Sequence, residues 1–130
     1  MGLDICINKI NKNKLPEKYK NIQGELDDNI IHFIHNLLES DYIERNFHFL
    51  LNYFISNTIS PESVYHAYFY YAISKEELKD IYKYCNLTLQ QLIKDQNIDN
   101  LLSLKLNNFI QYLGKIINDN SNIYIFEMDR

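Results

Sequence analysis

The two ends of the chain limit its fold most strongly, because each end alternates its side chains with a period of two. The N-terminal stretch "GLDICIN" sets Leu3, Ile5 and Ile7 against Asp4, Cys6 and Asn8. The C-terminal stretch "IYIFEM" sets Ile123 and Ile125 against Tyr124 and Phe126. This period predicts a strand at each end. Two paired strands are marginal alone, so we expect helices or a third strand to cover them.

The region between these strands shows helical patterns. Stretch 28–39, "DNIIHFIHNLLE", has Ile30, Ile31, Ile34, Leu37 and Leu38 at helical spacing, with Asp27 or Asp28 available as the N-cap. Stretch 41–57 has Ile43, Phe47, Leu50, Leu51 and Phe54 along one helical stripe. Only Ser40 and Asp41 separate the two apolar patterns, so they form either two helices or one kinked helix.

Two further helices are predicted in the second half. Ser74 followed by Glu77 forms a capping box, and Leu78, Tyr82, Cys85, Leu89 and Leu92 then follow at spacings of four and three. The last helix is predicted over 99–117, with Leu102, Leu106, Phe109 and Leu113 on one face.

The aromatic stretch 64–73, "VYHAYFYYAI", allows both a helix and a strand. Its residues favour strands, yet Pro61 upstream is typical of a helix start. We expect a short helical turn that becomes extended by Tyr70 and can add a third strand. The predicted fold is therefore α+β and mostly helical, a single domain over 1–130. Four or five helices pack on a small sheet that includes the N- and C-terminal strands.

Tyrosine is unusually abundant, with 11 Tyr and no Trp in a chain of 130 residues. Tyr is enriched at protein interfaces because its ring packs while its hydroxyl stays hydrogen-bonded. Both faces of the aromatic stretch carry rings, which one core does not easily accommodate. We therefore predict a partner-binding surface formed by Tyr65, His66, Tyr68, Tyr70 and Tyr71. At least one of Tyr70 and Tyr71 should be partly exposed.

Charge and hydropathy exclude some classes of protein. The formal charge of -4 disfavours a nucleic-acid binder and permits docking on a basic partner. A Lys-rich stretch offers Lys9, Lys12, Lys14, Lys18 and Lys20 for phosphates, but acidic residues follow it closely. No membrane span or signal peptide is evident, so a cytoplasmic location with two free thiols, Cys6 and Cys85, is expected.

Sequence patterns for catalysis or metal binding are weak. In a helix over 28–39, Asp28, His32, His35 and Glu39 would share one face and could ligate a metal. The same four residues also suit the solvated side of an amphipathic helix, so we expect no cofactor. Cys85 belongs to an apolar stripe and Cys6 to a strand, and neither lies in a context that marks a nucleophile.

Several short stretches carry a resemblance to a known family. They are the opening "MGLDICI", the helix end "NYFISNTI", the step "YYAISKEELKDIYKYCNLTL" and the closing "FIQYLGKII" with "NIYIFEMD". Together they resemble a family of small uncharacterised proteins from phages and bacterial mobile elements that open with "MGLDM". This chain differs at its fifth and sixth residues and lacks the usual tryptophans. The family has no established activity, so the resemblance implies an origin in a phage or mobile element.

These observations favour a non-enzymatic, protein-binding antagonist. It would occlude a basic partner surface, as anti-defence and toxin-immunity proteins do. The alternative is a small metal-dependent or nucleic-acid-acting enzyme that uses the helix face of His32 and His35. The oligomeric state is left open.

Overall fold

The computed structural model describes residues 4–45, 47, 68–95 and 100–129. The chain divides into two compact units. The sheet unit comprises Met1–Ser74 and Asn120–Arg130, and the hairpin unit comprises Lys75–Asp119. The hairpin unit is therefore an insertion between two strands of the sheet unit.

The sheet unit contains five strands: β1 (Asp4–Asn11), β2 (Gly24–Glu25), β3 (Glu39–Glu44), β4 (Tyr68–Ile73) and β5 (Asn122–Asp129). Their spatial order is β2-β4-β5-β1-β3, and all neighbours are antiparallel. The predicted pairing of the two ends is confirmed, because β1 pairs with β5 along its whole length. The α+β class is confirmed as well.

The aromatic stretch supplies the third strand. β4 pairs with β5 from Tyr68 to Ile73 and contacts β2 at its other edge. Backbone pairing on both sides, together with aromatic residues that suit a pleated surface, favours the strand over the helical turn. Residues 64–67, which complete the predicted stretch, lie outside the described residues.

The helix predicted over 41–57 is wrong at its start, where the structure has β3. Tyr42 lies opposite Ile7 and Ile43 opposite Cys6. The register shifts between Ile7 and Asn8, which leaves Asp41 as the extra residue of a β-bulge. Pairing with β1 outweighs the helical spacing here, because the ladder satisfies the backbone groups of this edge strand that face β1. The rest of the predicted helix, apart from residue 47, lies beyond the described residues.

The helix predicted over 28–39 is shorter than expected. The α-helix α1 spans Asp28–Ile34, and a 3-10 turn follows at His35–Leu37. Asp27 is the N-cap, since its side chain accepts a hydrogen bond from the Ile30 amide at 2.9 Å. This cap satisfies one of the free amides of the first turn.

Both faces of the central strands are buried. One face carries a core that consists mainly of strand residues. Leu15, which follows β1, and Ile34, the last residue of α1, also belong to this core. Its strand residues are Ile10, Tyr70, Ala72, Ile123 and Ile125. The predicted stripe of α1 and the turn after it packs against this core. On the other face Ile7, Tyr71 and Phe126 lie side by side in the register and are also buried.

The hairpin unit consists of α2 (Lys75–Lys94) and α3 (Asn100–Ile116). α2 begins directly after Ser74, as predicted, and buries Leu78, Ile81 and Cys85. The predicted stripe of α3 is buried at Leu106, Phe109, Leu113 and Ile116. The two helices approach closely, since a Cβ added at Gly114 would lie 3.9 Å from Tyr82 Cε2. The described residues thus contain three α-helices, which does not support the predicted four or five.

Candidate functional site

The tyrosine surface predicted on β4 is not exposed where the structure describes it. Tyr70 and Tyr71 are only 4% and 5% exposed, so the prediction that one of them is partly exposed is wrong. Of Tyr68 only the backbone is described, and Tyr65 and His66 lie outside the described residues. Tyr70 points into the α1 side of the sheet and Tyr71 joins Phe126 on the other side, so β4 is buried on both faces at these positions.

The residues predicted as metal ligands are separated by the end of α1. Asp28, His32 and His35 line one open cleft of about 450 Å³, together with Ile31 and Asn36. Glu39 instead begins β3.

The Oε1 atom of Glu39 lies 3.3 Å from Lys14 Nζ. Among the described residues, no three His, Cys, Asp or Glu side chains are arranged to hold a metal ion. The predicted quartet therefore does not assemble, because the helix ends before its fourth member.

Both thiols have raised pKa values. Burial raises the pKa of Cys85 from 9.0 to about 12. Burial also raises the pKa of Cys6, where the Glu127 carboxylate adds to the effect and a hydrogen bond with Ser40 opposes it. The nucleophile is the thiolate, so both groups are poor nucleophiles near neutral pH.

A row of five polar side chains crosses four strands on the α1 side of the sheet: Ser40, Cys6, Asn8, Glu127 and Tyr70. The Glu127 carboxylate accepts hydrogen bonds from Asn8 Nδ2 at 3.2 Å and from the Tyr70 hydroxyl at 3.3 Å. The Cys6 thiol lies 3.6 Å from Asn8 Oδ1 and 3.5 Å from Ser40 Oγ. We call these five residues the polar row.

The register places the polar row, since Glu127 lies opposite both Cys6 and Tyr70. Its polar groups bond to one another, which suits a link between strands better than a reaction centre. The sequence places Cys6 and Asn8 on the more polar side of the alternation in β1, but no local pattern pairs them with Glu127.

The hairpin unit exposes four aliphatic side chains near the connection between its helices. Leu87 and Ile93 of α2 are 54% and 58% exposed, and Leu101 and Leu104 of α3 are 59% and 56% exposed. Ile93, Leu101 and Leu104 lie within about one turn of the connection and Leu87 lies about two turns from it, so all four belong to the half of the hairpin nearer the connection. We call them the apolar end. Helical spacing predicts which apolar residues share a stripe, but it does not show which residues stay uncovered in the folded protein.

Comparisons with known proteins find no matching family model, no similar curated protein and no similar solved structure. The resemblance to the phage and mobile-element family therefore stays a prediction. Among the helices that the structure describes, none combines the length and the apolar character needed to cross a membrane.

Proposed function

We propose that this chain is a non-catalytic, protein-binding antagonist and that its binding surface includes the apolar end of the hairpin. The observation that carries the proposal is the exposure of Leu87, Ile93, Leu101 and Leu104 on two adjacent helices. Single exposed aliphatic residues are common on protein surfaces, but several together mark interaction sites. Covering the exposed half of each side chain would contribute about 1 kcal/mol to binding.

The distribution of charge bears on the expected partner. The hairpin unit has six lysines and six acidic residues, whereas the sheet unit has seven basic and eleven acidic residues. The net charge of -4 therefore belongs to the sheet unit. Because the hairpin unit is neutral, its net charge gives the apolar end no preference for a basic partner. Any such preference would have to come from the sheet unit.

An anti-defence or toxin-immunity role fits a module of this kind, because such proteins act by occupying a surface of their target. That part of the proposal rests on the family resemblance.

The experiment compares two charge-matched variants of the hairpin. Leu101→Glu with Leu104→Glu places two negative charges on the apolar end, and Lys79→Glu makes the same change in net charge at an exposed residue near the beginning of α2, toward the other end of the hairpin. We expect a specific protein to co-purify with the wild type and the control but not with the apolar-end variant. Circular dichroism should show that all three are folded. A partner that stays bound to the apolar-end variant would contradict the proposal.

The enzyme alternative has one supporting observation, the cleft that Asp28, His32 and His35 share. It requires a metal that those side chains bind together with a ligand from elsewhere. Metal analysis of the purified protein tests it: stoichiometric Zn or Mn, lost in His35→Ala and kept in the neighbouring Asn36→Ala, would favour the enzyme.

A further inference from the structure

The exposed stripe of α2 at the apolar end combines leucine with lysine. Lys83, Leu87, Gln90 and Lys94 follow at spacings of four, three and four, which places them on one side of the helix. All four residues are exposed. An aliphatic side chain therefore lies between two cations, separated by about one or two helical turns.

The exposed stripe of α3 combines leucine with side-chain amides. Leu101, Leu104, Asn108 and Gln111 follow at spacings of three and four, and all are exposed. Neither this helix nor α2 after Asp80 contains an acidic residue. The connection between the helices adds Asp95 and Asp99, and the Asp95 carboxylate accepts two hydrogen bonds from Gln91 Nε2, at 2.9 and 3.0 Å.

From these stripes we infer that the apolar end binds an acidic, amphipathic segment of a partner protein. The aliphatic side chains would cover the apolar face of that segment, and Lys83 and Lys94 would lie beside its carboxylates. This inference rests on the proposed function and specifies the chemistry of the partner. It differs from the basic partner that the overall composition suggests, because the exposed stripe of α2 carries lysines and neither stripe carries a carboxylate.

A second copy of the chain fits this surface less well. A two-fold contact brings the same patch of both copies together. The stripes would then set lysine against lysine, with no carboxylate on either stripe to compensate. Like charges brought together across an interface weaken it.

A lipid surface also fits less well than a protein. Gln90, Asn108 and Gln111 interrupt the aliphatic positions of the two stripes. Their amides need hydrogen-bond partners once water is excluded. A protein segment supplies such partners, whereas acyl chains do not.

The test uses two fluorescently labelled helical peptides of about 18 residues, each long enough to span five turns. Both carry Leu at positions i, i+3, i+4 and i+7, and one carries Glu and the other Lys at the remaining charged positions. We expect the Glu peptide to bind at least ten-fold more tightly in fluorescence anisotropy. Its affinity should fall several-fold between 50 and 500 mM NaCl, because salt screens exposed charges.

Matched variants locate the contact. Lys83→Glu with Lys94→Glu should weaken binding of the Glu peptide at least ten-fold. Lys79→Glu with Lys115→Glu makes the same change toward the other end of the two helices and should change it less than two-fold. Equal losses in the two double variants would overturn the inference, as would equal binding of the two peptides or binding of neither.

Two further measurements distinguish the other occupants. Stronger binding to phosphatidylserine vesicles than to either peptide would identify a lipid surface, and a dimer abolished by Leu101→Glu with Leu104→Glu would identify a second copy. Either result overturns the inference. If a co-purified partner needs the leucines but not the lysines, the acidic chemistry is wrong and the proposed function stands. If that partner needs neither, the proposed function itself fails.

Discussion

The sheet unit and the hairpin unit treat their large apolar side chains in opposite ways. The sheet unit buries Tyr70 and Tyr71, although adjacent residues of a strand point to opposite faces. The hairpin unit leaves Leu101 and Leu104 mostly exposed, although leucine is more often buried than tyrosine. Residue type is thus a weaker guide to the surface of this protein than the number of covered faces around each element.

The physical reason lies in the geometry of the two elements. β4 is an inner strand, so strands lie on both of its edges, and Tyr70 and Tyr71 are buried on its two faces. A helix has more sides than a strand, and α2 and α3 each keep an exposed stripe. Residues toward the end of a hairpin also have fewer spatial neighbours than residues in its middle, which leaves aliphatic side chains there uncovered.

The largest expected effect contrasts a buried ring with an exposed leucine. Phe126→Ala in β5 should lower the free energy of unfolding by about 3–5 kcal/mol, because it removes a fully buried ring and leaves a cavity. Leu104→Ala in α3 should change it by no more than about 0.5 kcal/mol. Urea unfolding followed by circular dichroism measures both. A loss above about 2 kcal/mol in Leu104→Ala would show that the apolar end is packed and would end the contrast.

The next effect tests whether the polar row holds the strands together. Glu127→Ala removes the acceptor of two hydrogen bonds and should destabilise the protein by about 1–3 kcal/mol, since Asn8 is only 5% exposed and loses its partner. The control is Glu17→Ala, whose side chain is 90% exposed beside Lys20 and whose loss should be within about 0.5 kcal/mol. Similar losses in both variants would mean that the polar row adds nothing to stability.

The smallest effect compares the thiols of the two units. The raised pKa of Cys85 means that the folded state keeps a proton that the unfolded state releases above pH 9. The stabilising effect is therefore complete below pH 9 and is lost as the pH rises toward 12.

We expect the free energy of unfolding of the wild type to fall more steeply than that of Cys85→Ala, by roughly 1 kcal/mol per pH unit between pH 9.5 and 11. Cys6→Ala should change the slope less, because Cys6 is only partly buried. Iodoacetamide should also label Cys6 of the folded protein before Cys85. Parallel slopes for the wild type and Cys85→Ala, or labelling in the reverse order, would contradict this prediction.

Local sequence patterns predicted the helices and strands that can be recognised without knowing what packs against them. The capping box at Ser74 and the stripes of α2 and α3 located both helices of the hairpin, because helical hydrogen bonds join residues four apart. The alternation at the two ends located β1 and β5 for a similar reason, because neighbouring side chains of a strand point to opposite faces.

Elements that depend on distant partners were predicted less well. β3 follows a helix-like pattern, yet it pairs with β1, and Ile43 lies opposite Cys6. The polar row joins Asn8 to Glu127, which are 119 residues apart in the chain. Nothing local marks such a pair, so the residues of the candidate site could not be chosen from the sequence by spacing alone.

The sequence by itself determined the α+β class, the two terminal strands and the two long helices, because each follows from short-range periodicity and capping. Only the tertiary structure decided which apolar residues are covered. It buried the tyrosines on both faces of β4 and left the leucines at the hairpin end exposed. The physical reason is that burial depends on what packs against an element from elsewhere in the chain, and a local pattern carries no information about that partner.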